Sequence, residues 1–319
     1  MTISKNIQKV IFCGLENVGK TSILLLLDKK YSLLDKKFLK PTINVQRTNK
    51  SFSLLGLEIS NWDLGGQRNF REEYLKNKKK YFTFIHSIFF VIDIQDRVKF
   101  EEALKYLGEI LNIILELNPN HPEFSILFHK YDPDIKSNEE ILGDINNLEI
   151  QIKNLNTKVK FSFYRTSIYD PSSIIKSFSE GVISRTQKSK LIQTLLKKYM
   201  SKSFNSATVL LDTHSFIIAS RATKEEYEQV CKEIAPRLTL TIEKLEEQDI
   251  NPLDIVTNIE FPQISDEQKN GLIFLKKFDI NQERLYLITL CLNKKIKAKS
   301  YEYLPILTEK LRNLFESFD

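Results

Sequence analysis

At 319 residues the chain exceeds the length at which one hydrophobic core usually keeps growing, so two globular domains are expected. Its 42% hydrophobic content argues against disorder. Its net charge of +6, with the lysine runs at 78–80, 197–198 and 294–295 interspersed among acids, reads as solvated surface and not as a nucleic-acid binder.

Three cysteines, Cys13, Cys231 and Cys291, stand far apart with neither metal spacing nor a disulfide framework, which fits a reducing cytosol. The start Met1-Thr2-Ile3-Ser4 has no apolar signal region, Thr2 excludes N-myristoylation, and the end Ser317-Phe318-Asp319 has no prenylatable Cys. No segment approaches the ~20 apolar residues of a membrane span. A cytoplasmic protein with no direct membrane anchor is expected, recruited to membranes only by partners.

Residues 8–13 (Gln-Lys-Val-Ile-Phe-Cys) read as a buried strand and 21–30 as a helix. Between them Gly14-Leu15-Glu16-Asn17-Val18-Gly19-Lys20-Thr21, followed by Ser22, matches every fixed position of a phosphate-binding loop, in the strand–loop–helix setting that the motif requires. Backbone N–H groups of such a loop surround a β-phosphate, and the helix start adds partial positive charge. Lys20 would reach the β and γ oxygens, and Thr21 would give its hydroxyl to Mg²⁺. Only 9 glycines occur in the chain, and Gly14, Gly19, Gly65 and Gly66 sit in two motifs, as expected where backbone must approach phosphate closely.

Strand-like runs at 43–54 and 57–62 flank Gly56. Before the first lies Pro41-Thr42-Ile43, in which Thr42 is the candidate second hydroxyl on Mg²⁺, able to bind only when a γ-phosphate is present. After the second comes Trp62-Asp63-Leu64-Gly65-Gly66-Gln67. Asp63 would hold Mg²⁺ through a water, the Gly66 N–H would meet a γ-phosphate, and Gln67 would orient an attacking water.

A short apolar strand at 87–93 precedes a helix at 100–117, which stops at Asn118-Pro119. The next strand, 124–128, leads into His129-Lys130-Tyr131-Asp132. Asp132 can accept two hydrogen bonds from guanine N1–H and the exocyclic amine, an arrangement adenine lacks, with the Lys130 stem over the base. A helix at 139–155 and a strand at 158–166 follow, ending in Thr166-Ser167-Ile168, whose backbone N–H groups could meet guanine O6. Strands alternating with helices to about residue 185 indicate a mostly parallel α/β sheet with phosphate chemistry at its strand ends.

Beyond Ser184 the pattern changes. A helix at 189–203, strands at 207–212 and 216–220, a helix at 224–247, apolar runs at 272–278 and 284–292 joined by a hairpin at 279–282, and a helix at 303–315 describe a smaller α+β sandwich with an antiparallel sheet. This half carries no phosphate loop, paired carboxylates or metal cluster.

The motif set resembles a small GTPase of the Ras superfamily. Trp62 to Gln67, Pro41-Thr42-Ile43 and Phe90-Val91-Ile92-Asp93 with Asp96-Arg97 look like the Arf group. His129-Lys130-Tyr131-Asp132 and Tyr164-Arg165-Thr166-Ser167-Ile168-Tyr169-Asp170 resemble Rag GTPases, and the second half resembles the Rag roadblock-like domain in its order of elements. The resemblance implies a P-loop GTPase domain at 1–186 and a roadblock-like dimerisation domain at 187–319. It implies GTP or GDP with Mg²⁺, homo- or heterodimers, exchange and activating factors, a membrane scaffold, and slow hydrolysis without a partner. His129 departs from the usual Asn, losing the amide that ties this loop to the phosphate loop, and Glu16 is an acid beside the phosphates, expected to face away from the γ position. An Arf-like trafficking GTPase and a constitutively nucleotide-bound, non-hydrolysing scaffold are the alternatives.

Overall fold

The computed structural model describes residues 7–28, 45–52, 57–118, 122–252, 254–261, 269–280, 283–292 and 297–317. They form two compact units, one reaching Ser177 and the other starting at Phe178.

The first unit is built on a six-stranded sheet in the order β2-β3-β1-β4-β5-β6. Its strands are β1 (Ile7–Cys13), β2 (Val45–Phe52), β3 (Leu57–Leu64), β4 (Ile85–Asp93), β5 (Glu123–His129) and β6 (Phe161–Thr166). Only the edge strand β2 is antiparallel to its neighbour. Val10 to Cys13, Ile88 to Ile92 and Phe124 to Phe128 are buried without alternation, the mark of strands covered on both faces. Helices α1 (Lys20–Asp28), α2 (Arg68–Lys76), α3 (Lys78–Phe82), α4 (Phe100–Leu117), α5 (Glu139–Leu155) and α6 (Pro171–Gly181) connect them. In α4, Ala103, Tyr106, Leu107, Ile110, Leu111 and Ile114 recur at helical spacing as its buried stripe, and Glu101 and Glu102 complement the dipole of its first turn. Asn138 caps α5, its side chain accepting from the N–H groups of Glu140 and Ile141.

The second unit holds α7 (Gln187–Ser203), β7 (Ala207–Asp212), β8 (Ile217–Ala222), α8 (Glu225–Glu246), β9 (Asp254–Phe261), β10 (Lys269–Ile280), β11 (Glu283–Cys291) and α9 (Lys297–Glu316). The strands make an antiparallel sheet in the order β8-β7-β11-β10-β9. The pleat divides them between two layers. Val209, Leu211, Ile273, Leu275, Tyr286 and Ile288 pack with Tyr227, Cys231, Ala235 and Ile242 of α8, while Leu272, Phe274 and Cys291 meet Tyr301 of α9 on the opposite face. The end of α6 belongs here too: Phe178 lies 5.7 Å from the Phe216 ring, and Ser179 Oγ accepts from the Ile217 N–H. The division therefore falls before residue 186.

Several features depart from the expected pattern. Strand β9 was not expected; its alternation of exposed and half-buried positions at the sheet edge leaves no apolar run to see. Helix α2 buries only Tyr74, so its sequence carries no apolar stripe. The final helix begins at Lys297, six residues before Tyr303, and the expected hairpin at 279–282 narrows, since Ile280 still pairs with Glu283.

Candidate nucleotide site

The register of the first sheet sets the site. Phe12 pairs with Asp63, Asp93 with His129, and His129 with Thr166, so the four motifs emerge at the same C-terminal edge.

The loop between β1 and α1 turns through positive φ at Gly14 (141°), Asn17 (62°) and Gly19 (93°). Leu15 and Val18 are buried and anchor it, whereas Glu16 and Asn17 are exposed. Lys20 is 6% exposed, and its ammonium donates to the carbonyls of Leu15 (2.7 Å) and Gly14 (3.2 Å). Burial lowers its pKa to about 8, with Asp63 pulling the other way. Thr21 and Ser22 are half-buried on the first turn of α1, and Thr21 Oγ1 donates to Asp63 Oδ2 at 2.6 Å. A hydroxyl and a carboxylate converging in this way are hard oxygen donors suited to Mg²⁺, so the residues present fit that ion. Thr42 lies outside the described residues.

Gly66 explains why the second motif needs glycine at this place. A Cβ on it would stand 2.2 Å from the Leu15 carbonyl carbon and 2.4 Å from the Glu16 nitrogen, so the two loops touch backbone to backbone. Gly65 N–H donates to the buried Tyr74 hydroxyl of α2 (3.1 Å). Gln67 is the N-cap of α2, half-buried, with its carbonyl accepting from Arg71 N–H and its side chain making no capping bond. Arg71 holds α2 to α4 through an ion pair with Glu102 and a guanidinium 5.1 Å from the Tyr106 ring centre. A cavity of about 390 Å³ lies along that seam.

On the base side, His129 is buried, and its Nδ1 lies 3.0 Å from Thr166 Oγ1. Burial, with the neighbouring Lys130 charge, pushes its pKa down to about 3, so the ring is neutral. Its far edge abuts the phosphate loop: a Cβ on Gly19 would be 2.6 Å from Cδ2 and 2.8 Å from Nε2. His129 has no amide to offer the phosphate loop, and the ring instead packs against the backbone at Gly19.

Lys130 takes positive φ (60°), and its ammonium reaches Asp93 Oδ2. Asp132, half-buried, accepts from the Ser167 hydroxyl on Oδ1 and from Gln95 Nε2 (3.2 Å) on Oδ2. Thr166 is fully buried, and Ser167 N–H donates to Ser173 Oγ (3.1 Å). The Thr166 side chain thus meets His129 and the Ser167 hydroxyl meets Asp132, while the Ser167 N–H is engaged by Ser173. Ile168 is half-buried in the turn beyond them. The sequence reading missed Tyr74, Gln95 and Ser173. Asp93 was in view as part of a family motif, with no role attached to it.

A model of the Gtr1/RagA G protein conserved region matches residues 9–246. The chain is 26% identical over 224 residues to the Ras-related GTP-binding protein A of Dictyostelium discoideum, covering 70% of this chain and 72% of that protein. Its identity to the GTP-binding protein GTR1 of Saccharomyces cerevisiae is 28% over 232 residues, covering 70% of this chain and 71% of that protein. Among solved structures, the Arl6 BBS3 small GTPase from Trypanosoma brucei with bound nucleotide analogue GppNp is matched at 18% identity and a TM-score of 0.43, over 55% of this chain and 95% of that one.

Proposed function

The chain belongs to the Gtr1/RagA G protein family, and from that premise we propose that it is a nucleotide-dependent switch paired through its second unit. As a member it is a GTP-binding, GTP-hydrolysing enzyme. In the proposal Gly14 to Ser22 cradle the phosphates, Thr21, Thr42 and Asp63 hold Mg²⁺, and Gly66 reports the γ-phosphate. Gln67 orients the attacking water, while His129, Lys130, Asp132 and Thr166 to Ile168 form the base site. Bound Mg²⁺ would neutralise charge on the phosphate oxygens during transfer.

The observation that carries this reading is the contact of Gly66 with Leu15 and Glu16, joined by the Thr21–Asp63 hydrogen bond. Any group entering at the γ position must move or meet the Asp63 to Gln67 segment, which is the physical requirement for a switch. Residues 187–319 are the proposed dimerisation region, pairing with a second copy or a related chain; among the described residues the last strand of their sheet, β9, pairs with β10 alone. No helix among the described residues is long and apolar enough to cross a membrane.

Single-turnover phosphate release, with GTP and ATP competing against a fluorescent guanine nucleotide, tests the site. Solution mass with GDP and with a GTP analogue tests the pairing. Preference for GTP with measurable release and a dimeric mass are expected; ATP competing equally, or a monomer in both states, would remove the corresponding half of the proposal.

A further inference from the structure

The base-reading loop is fastened to the end of β4 and to the turn after it by several hydrogen bonds. Ile94 N–H donates to the His129 carbonyl (3.1 Å), and Asp93 spans the gap with Oδ2 on the Lys130 ammonium and Oδ1 on the Gln95 N–H (3.0 Å). The Gln95 amide closes the circuit, its Nε2 donating to the Lys130 carbonyl at 2.7 Å and to Asp132 Oδ2 at 3.2 Å. We infer that Gln95 is a positioning residue for guanine recognition, holding the Asp132 carboxylate in the plane that reads the base; this rests on the proposed role of Asp132.

The chemistry supports the assignment. A carboxylate has about four acceptor directions, and here the Ser167 hydroxyl takes one on Oδ1 and Gln95 takes one on Oδ2. Each oxygen keeps a direction for a guanine donor, and the two flanking donors fix the rotation of the group. Lys130, at φ 60°, is in a conformation that a non-glycine residue holds only when its surroundings impose it, and the Gln95 bond to its carbonyl is one such restraint. Without Gln95 the carboxylate is free to turn about Oδ1.

The full-length protein tests this with Gln95→Ala and Gln95→Glu, read as equilibrium affinities for GDP, IDP and ADP. IDP lacks the exocyclic amine, so the GDP to IDP ratio reports how well the carboxylate is aimed. Gln95 is exposed, so its loss is expected to leave the fold intact. Gln95→Ala is expected to weaken GDP by about three- to tenfold, the scale of one or two hydrogen bonds, and to lower the GDP to IDP ratio. Gln95→Glu, which cannot donate and sets a second carboxylate against Asp132, is expected to do both more strongly. An unchanged ratio in both variants, even with affinity reduced, overturns the inference. A wild-type protein that does not distinguish GDP from ADP overturns instead the reading of Asp132 on which it rests.

Discussion

The imidazole of His129 fills the space in which a side chain at Gly19 would stand, with only 2.6 Å between its Cδ2 and the position of that Cβ. One strand end thereby sets the backbone of the phosphate loop. Gly19→Ala would suffer this clash together with a φ of 93°, and should destabilise the first unit by roughly 2–4 kcal/mol. Denaturant unfolding with and without GDP checks it, and Gly19→Ala with His129→Ala should recover part of the loss.

Acid should act on the same ring. His129 is neutral when folded, with a pKa near 3 against 6.5 for the ordinary side chain, so the unfolded chain binds the extra proton between those values. Its contribution is complete above pH 6.5 and is lost as pH falls toward 3, at up to about 1.4 kcal/mol per pH unit. Stability measured from pH 7 to 4 should fall less steeply in His129→Asn; identical slopes would deny the ring this role.

Gln67 stands at the head of α2 with a side chain that makes no capping bond. Gln67→Leu should leave GTP affinity close to that of the wild type and slow single-turnover phosphate release by about tenfold or more. Undiminished release would remove it from the reaction.

In the second unit, Asn205 Oδ1 accepts from both Cys291 Sγ and Ser300 Oγ, each at 2.7 Å, while its Nδ2 donates to Ser203 Oγ. All four residues are buried, and the bonds tie α7, β11 and α9 together. Asn205→Ala strands several polar groups without water and should cost about 2–4 kcal/mol by chemical denaturation. The effect should appear in the transition of the second unit and leave GDP affinity unchanged.

The parts of the site that the sequence made legible are those carried by short, fixed spacings at strand ends: Gly14 to Thr21, Asp63 to Gln67, and His129 to Asp132. Their meaning depends on residue type and local order alone. What stayed hidden depends on distance in space. Nothing in Gln95 or Tyr74 marks them until the β4 turn and α2 are folded, and His129 read as a missing amide until its ring was found against Gly19. In the second unit, α7, β7 and α8 showed through their apolar runs and periodicity, whereas β9, exposed along one face at the sheet edge, did not.

The strand order β8-β7-β11-β10-β9 puts the last strand to leave the ribosome in the middle of the sheet. β7 and β8 can pair as a hairpin once made, as can β9 and β10, but neither pair has its neighbour until β11 arrives. A nascent chain therefore displays the inner edge of the β7–β8 hairpin while residues 223–282 are being synthesised, joined by that of β9–β10 only once β10 is made. A chain cut short before residue 283 loses the strand that joins the halves, so truncation there removes the keystone of the unit and exposes both of its seams.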